Sequence, residues 1–121
     1  MKQTFVNFTN HPSDKWQSEQ KSKALEYGDI VDLAFPVVDA MADEQTVMEQ
    51  AERCVTRIME FHPGAVLCQG EFCLAYQVIT MLKERGVTVL AACSEREAKE
   101  SPQDGGTRKE SIFRFKQFRR Y

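Results

Sequence analysis

Three short polar motifs carry the groups in this chain that could do chemistry. Asn10-His11-Pro12-Ser13 supplies an amide, an imidazole suited to proton transfer near neutral pH, and a hydroxyl. Such a set can hold phosphate oxygens or donate a proton to a leaving oxygen. Gln69-Gly70-Glu71 joins a carboxylate to a glycine whose missing side chain lets a ligand approach backbone N–H groups that favour anions. Ser94-Glu95-Arg96 adds a second hydroxyl and a guanidinium, the side chain shaped for forked recognition of phosphate. Each motif also has a plainer role: a capping loop with His11 exposed, a turn at Gly70 with Glu71 complementing a helix dipole, or a surface ion pair between Glu95 and Arg96. Asp39, in Pro36-Val37-Val38-Asp39, could edge the same pocket or simply shape a turn. Trp16 and Phe72 could stack on a base or pack inward.

What would bring the motifs together is their position after strands. Thr4–Phe8 is aromatic and β-branched, and His11-Pro12 ends it. Ser13 or Asp14 can cap a helix running through Trp16 and Leu25 to Tyr27, stopped by Gly28. A second strand is expected over residues 29–35, ended by Pro36. Asp43 caps a second helix in which Val47, Met48, Ala51, Val55, Ile58 and Met59 recur at three- and four-residue steps. His62-Pro63-Gly64 breaks it before a third strand at residues 65–68, a third helix over about 71–85 closed by Gly86, and a fourth strand at 87–93. Residues 97–109, with Pro102 and Asp104-Gly105-Gly106, read as a turn or mobile loop. Residues 111–118 alternate, with Phe113 and Phe115 on an inward face, and make a last strand antiparallel to the fourth.

Alternating strands and helices predict a single α/β domain over residues 1–121: a three-layer αβα Rossmann-like sandwich with a mostly parallel sheet of order 2-1-3-4 plus a C-terminal antiparallel strand. Ligands of such sheets bind beyond the carboxyl ends of the strands, where strand order reverses, so the three motifs would converge there. No GxGxxG or GxxxxGK[ST] sequence occurs, which argues against a familiar dinucleotide or nucleoside triphosphate site. Nothing resembles a Ser-His-Asp order or a nucleophile elbow.

With 121 residues and 42% hydrophobic content the chain can bury one core. Arg108, Lys109, Arg114, Lys116, Arg119 and Arg120 against Glu110 give the last fifteen residues a charge of +5, so the formal −2 leaves −7 elsewhere. That end could hold a polyanion, or be an edge strand guarded by charge. Cys54, Cys68, Cys73 and Cys93 form no CxxC pair and read as free thiols, three of them buried, in a reduced cytosol. His11 and His62 are too few and scattered for a metal cluster, so no metal is expected. Neither a signal peptide nor a membrane span is evident, and a cytoplasmic protein is expected. The third helix carries Leu74, Tyr76 and Met81 around Ala75, Val78, Ile79 and Leu82, apolar around much of its circumference. It needs either a homodimer partner or burial by neighbouring loops.

With these motifs placed, the chain resembles the small CRISPR-associated, CARF-like Rossmann-fold proteins that bind or degrade cyclic oligoadenylate, the group containing the ring nucleases. The likeness covers most of the chain and rests on Asn7-Phe8-Thr9-Asn10-His11-Pro12, Gln69-Gly70-Glu71-Phe72, Ser94-Glu95-Arg96 and the ending from Phe113-Arg114-Phe115 to Arg119-Arg120-Tyr121. It implies a role in antiviral defence signalling and a two-fold dimer with a cyclic oligoadenylate across a loop-lined cleft. It also implies metal-independent cleavage in which a ribose 2′-hydroxyl of the ligand is the nucleophile. On that resemblance Asn10, Ser13, Gln69, Gly70, Ser94 and Arg96 bind the ligand, His11 is the general acid, and Glu71 contacts ribose or moves a proton. No cofactor is implied, and neither a membrane nor a large nucleic acid is an expected partner.

Two other readings compete. A nucleoside-processing glycosidase or transferase would use Glu71 as carboxylate nucleophile, with Asp39 or Glu95 as the second acid. A non-catalytic sensor or adaptor would retain its ligand without turnover.

Overall fold

Phe5, Val6, Asn7 and Phe8 are buried in succession in the first strand, β1 (Thr4–Phe8). Successive strand residues face opposite sides of a sheet, so this run requires cover on both faces, the usual condition of a parallel strand. The computed structural model, which describes residues 3–103 and 105–121, provides that cover. β1 pairs in parallel with β2 (Asp29–Asp32) on one side and β3 (Pro63–Cys68) on the other. β3 pairs in parallel with β4 (Val89–Gln103), which pairs antiparallel with β5 (Gly106–Arg120). The sheet order is β2-β1-β3-β4-β5, the parallel order and antiparallel end expected from the sequence.

The two faces are covered unequally. Val6, Phe8, Val66, Cys68 and Val89 pack under α2 (Glu44–Met59) and α3 (Phe72–Glu84), whose buried stripes are Val47, Ala51, Val55 and Ile58 and Leu74, Ala75, Val78 and Leu82. Each buried Val, Leu, Ile or Phe side chain there contributes roughly 1.5–3 kcal/mol. On the other face Phe5, Ala65, Leu67 and Leu90 meet Ala24 of the short α1 (Ser18–Leu25) with Trp16, Tyr27 and Phe118. Phe5 touches three of these rings at centroid distances of 5.2–6.1 Å. One short helix leaves the carboxyl end of this face uncovered.

Several local expectations are corrected. Residues 13–27 are not one helix: Ser13–Lys15 form a single 3₁₀ turn and α1 starts at Ser18 with no side-chain cap. β2 stops at Asp32 rather than residue 35. Gly28 does turn the chain at φ +143°, where a Cβ would collide with the Gln3 carbonyl. The largest difference is at 97–109, read as a loop. β4 and β5 run on through it as a two-stranded ribbon of 15-residue strands, with Gln103 paired to Gly106. The stretch is polar, and so lacks the apolar alternation that marks a half-buried strand. Asp104 of the expected turn lies outside the described residues.

A bulge between Cys93 and Ser94 shifts the β4–β5 register, so that Ala92 opposes Phe118 while Ser94 opposes Phe115. The extra residue on β5 brings Phe115 and Phe118 onto one face, with their rings 4.9 Å apart. Phe115 is buried, but Phe113 is 62% exposed, against the inward position expected of it. On the opposite face of the ribbon Glu97 pairs with Arg114 at 3.0 Å and Lys116 at 3.4 Å.

All four cysteines are free: Cys68 is buried, Cys54 and Cys93 are half-buried, and Cys73 is exposed. Burial pushes the Cys68 thiol up to about 12, which makes it a packing residue and not a nucleophile.

Candidate functional site

The uncovered carboxyl end of the α1 face is a cleft of about 650 Å³. Its floor is Leu67 and Ala92, its near wall the loop after β1, and its far wall the ribbon residues Ser94, Phe113 and Phe115. It lies beside the boundary between β1 and β3, from which the chain runs outward to β2 on one side and β4 on the other. This is the switch point at which open parallel sheets bind ligands.

The loop after β1 is held by buried polar groups beneath it. Asn7, 1% exposed, donates from Nδ2 to the His11 carbonyl at 2.9 Å and to Asp32 Oδ1 at 2.8 Å. Its Oδ1 accepts from Thr9 Oγ1 at 2.7 Å, and Thr9 Oγ1 accepts from the His11 N–H at 3.1 Å. Trp16 Nε1 donates to the same His11 carbonyl at 3.0 Å. With its backbone fixed at both polar groups, His11 directs a side chain that hydrogen-bonds none of the described residues to the cleft wall. Among the described residues no buried side-chain polar atom lacks a partner.

Four of the eight site residues expected from the sequence line the cleft: Asn10, His11, Gln69 and Ser94. Gln69 Oε1 accepts from the Ala92 N–H at 3.0 Å, extending the β3–β4 ladder past its last backbone pair. Its Nε2 is then the group it can offer a ligand.

The other four are placed elsewhere. Ser13 turns to Asp32, donating from Oγ to Oδ2 at 2.9 Å. Gly70 does not open a path to the backbone, because a Cβ there would lie 2.6 Å from the ring of Phe35. Glu71 caps α3 with its own carboxylate, accepting from the Cys73 and Leu74 N–H groups at 2.9 and 2.8 Å. The helix N-terminus that suggested a phosphate site is therefore already occupied by an anion. Arg96 sets its guanidinium over the Phe113 ring, 5.2 Å from the centroid. Of the other residues considered, Phe72 is 89% exposed and away from the cleft, while Trp16 lines it.

The Leu74 and Cys73 backbone donors hold the Glu71 carboxyl below its ordinary value of 4.5. A depressed carboxyl stabilises the fold above its unfolded pKa and loses that contribution as pH falls through the lower, folded value. Glu71→Ala should therefore cost about 1 kcal/mol at pH 7, as helix caps do. In urea titrations the gap from the unsubstituted chain should close as pH falls below 4.5; a gap independent of pH would rule out the charged cap.

The sequence reading missed several residues of the site. Lys15 brings an ammonium to the cleft, Gln17 and Gln20 bring amides, and Asp32 anchors the loop from below. Asn7 was the available signal, a polar residue inside the apolar run Phe-Val-Asn-Phe that lies in register with Asp32. None of the residues lining the cleft is acidic, so its geometry gives no support to a carboxylate nucleophile. Among the described residues no group of three or more His, Cys, Asp or Glu side chains could hold a metal ion, and no helix is long and apolar enough to cross a membrane.

The chain belongs to the uncharacterized protein MJ1673 family, which it matches over residues 3–119. It matches no curated protein sequence.

Proposed function

We propose that this member of the MJ1673 family binds a nucleotide phosphodiester, a cyclic oligoadenylate on the resemblance noted above, and cleaves it in the cytoplasm as a ring nuclease of antiviral defence. The observation that supports this is the convergence of His11, Asn10, Gln69 and Ser94 with Lys15 and the rings of Trp16 and Phe113 in one cleft at the switch point. Lys15 and the amides suit phosphate oxygens, and the rings suit bases. The same reading takes the fold as a Rossmann-like, CARF-like three-layer sandwich in which α1 is a thin third layer.

The reaction needs little from the protein beyond alignment. The ligand's 2′-oxygen attacks the adjacent phosphorus as its proton passes to solvent water, the bond from phosphorus to the 5′-oxygen breaks, and the leaving oxygen takes a proton from the His11 imidazolium. The products are a 2′,3′-cyclic phosphate and a 5′-hydroxyl. Lys15 offsets charge on the phosphoryl oxygens.

A ring-shaped ligand calls for a second copy of the chain across a two-fold axis. Phe72 is about nine-tenths exposed and lines a groove with Tyr76 and Val47 at the start of α2 and α3. Such an exposed apolar surface suits a partner subunit.

A sensor reading has one specific observation in its favour. With Glu71 engaged on α3, His11 and Lys15 are the titratable side chains lining the cleft, few for concerted acid–base cleavage. Incubation with cyclic tri-, tetra- and hexa-adenylate in EDTA decides between the two. Linear products ending in a 2′,3′-cyclic phosphate, from a protein that scatters light at twice the chain mass, are the expected result. Intact ring retained on the protein would make it a sensor, and neither binding nor turnover would remove the nucleotide reading.

A further inference from the structure

Phe113 is an exposed ring that the structure nevertheless holds in place. Phe115 and Phe118, which share its face of the ribbon, pack toward the core, whereas Phe113 is 62% exposed and lines the cleft. Gln17 grips the backbone around it, donating from Nε2 to the Phe113 carbonyl at 3.0 Å and accepting at Oε1 from the Phe115 N–H at 3.0 Å. Arg96, its directly opposed residue on β4, stands 5.2 Å from the ring centroid. Trp16 is fixed in the same cleft by its bond to the His11 carbonyl and its edge-on contact with Phe5.

We infer that Phe113, backed by Arg96, is a base-stacking platform, and that the cleft selects a ligand carrying a nucleobase over a bare sugar phosphate. The inference rests on the nucleotide reading above and adds to it the surface that reads the base. An aromatic face exposed to water gains from covering a flat base, and every base has such a face. A guanidinium over the ring holds its orientation without filling the cleft. Arg96 is thereby a positioning residue for Phe113, while His11 and Lys15 are left to face the phosphate.

Trp16 is the chain's only tryptophan, so quenching of its fluorescence reports on the cleft directly. The probes are 2′-O-methyl adenylyl-(3′→5′)-adenosine, which lacks the attacking hydroxyl, and ribose 5-phosphate. The unsubstituted protein should bind the dinucleotide more tightly than the sugar phosphate. Phe113→Ala and Phe113→Leu should both weaken the dinucleotide by about 5- to 100-fold. Phe113→Tyr should retain it, and none of the three should alter ribose 5-phosphate binding. Loss in the Leu variant separates stacking from mere apolar contact, and circular dichroism melts should coincide because the ring is largely exposed. Dinucleotide binding that is equal in the unsubstituted, Ala and Leu proteins would overturn the platform and leave the nucleotide site standing. No dinucleotide binding by the unsubstituted protein would overturn the nucleotide reading itself, and the platform with it.

Discussion

His11→Ala should lower the rate of cyclic adenylate cleavage by about 10²–10⁴-fold, the range for loss of a general acid, while shifting affinity far less. The geometry makes this a clean test. The loop is held through the His11 backbone, whose carbonyl accepts from Asn7 and Trp16 and whose N–H donates to Thr9. Removing the imidazole leaves all of those bonds, so melting temperature and Trp16 quenching should stay near their original values. Single-turnover cleavage with excess protein measures the chemical step without product release. A normal rate would remove His11 as the acid, and a large loss of affinity would make it a binding residue instead.

Asn7→Asp should cost about 3–5 kcal/mol at neutral pH, the range for an uncompensated buried charge. The buried Asn7 donates from Nδ2 to Oδ1 of the exposed Asp32 at 2.8 Å. Replacing that donor by a carboxylate oxygen sets two like charges at hydrogen-bond distance, which one carboxyl can escape only by holding a proton. Its folded pKa is then raised above the unfolded one, so the native state binds more protons and stability falls as pH rises. The urea midpoint of the Asp variant should therefore recover as pH is lowered from 8 to 5. Asn7→Ala removes the bonds without adding a charge, and its loss of about 1–3 kcal/mol should be nearly independent of pH over that interval. Parallel pH profiles for the two variants would contradict the network.

Strand order was legible because it follows from chain alternation and short connections, and the amphipathic stripe of α2 from Val47 to Ile58 was legible in the same way. Individual side chains were less so. Glu71 and Gly70 looked like parts of an open anion site, yet each is used up locally, one by the α3 backbone donors and the other by the ring of Phe35. Whether a helix N-terminus is vacant depends on a rotamer, and sequence does not record rotamers. Residues 97–109 were misread because this polar stretch lacks the apolar alternation by which strands are recognised. The bulge opposite Cys93 and Ser94 is what aligns Phe118 with Phe115, and no spacing in β5 announces it.

The grip of Gln17 on β5 joins residues 96 and 98 positions apart, nearly the whole chain. Contacts of such separation are the slowest to form, because the loop-closure entropy is lost before the contact returns anything. The β4–β5 ribbon is a hairpin of neighbours in sequence, whereas β1 reaches past β2 to pair with β3. The near and far walls of the cleft therefore come from opposite ends of the chain, and the two Gln17 bonds are a clasp between them.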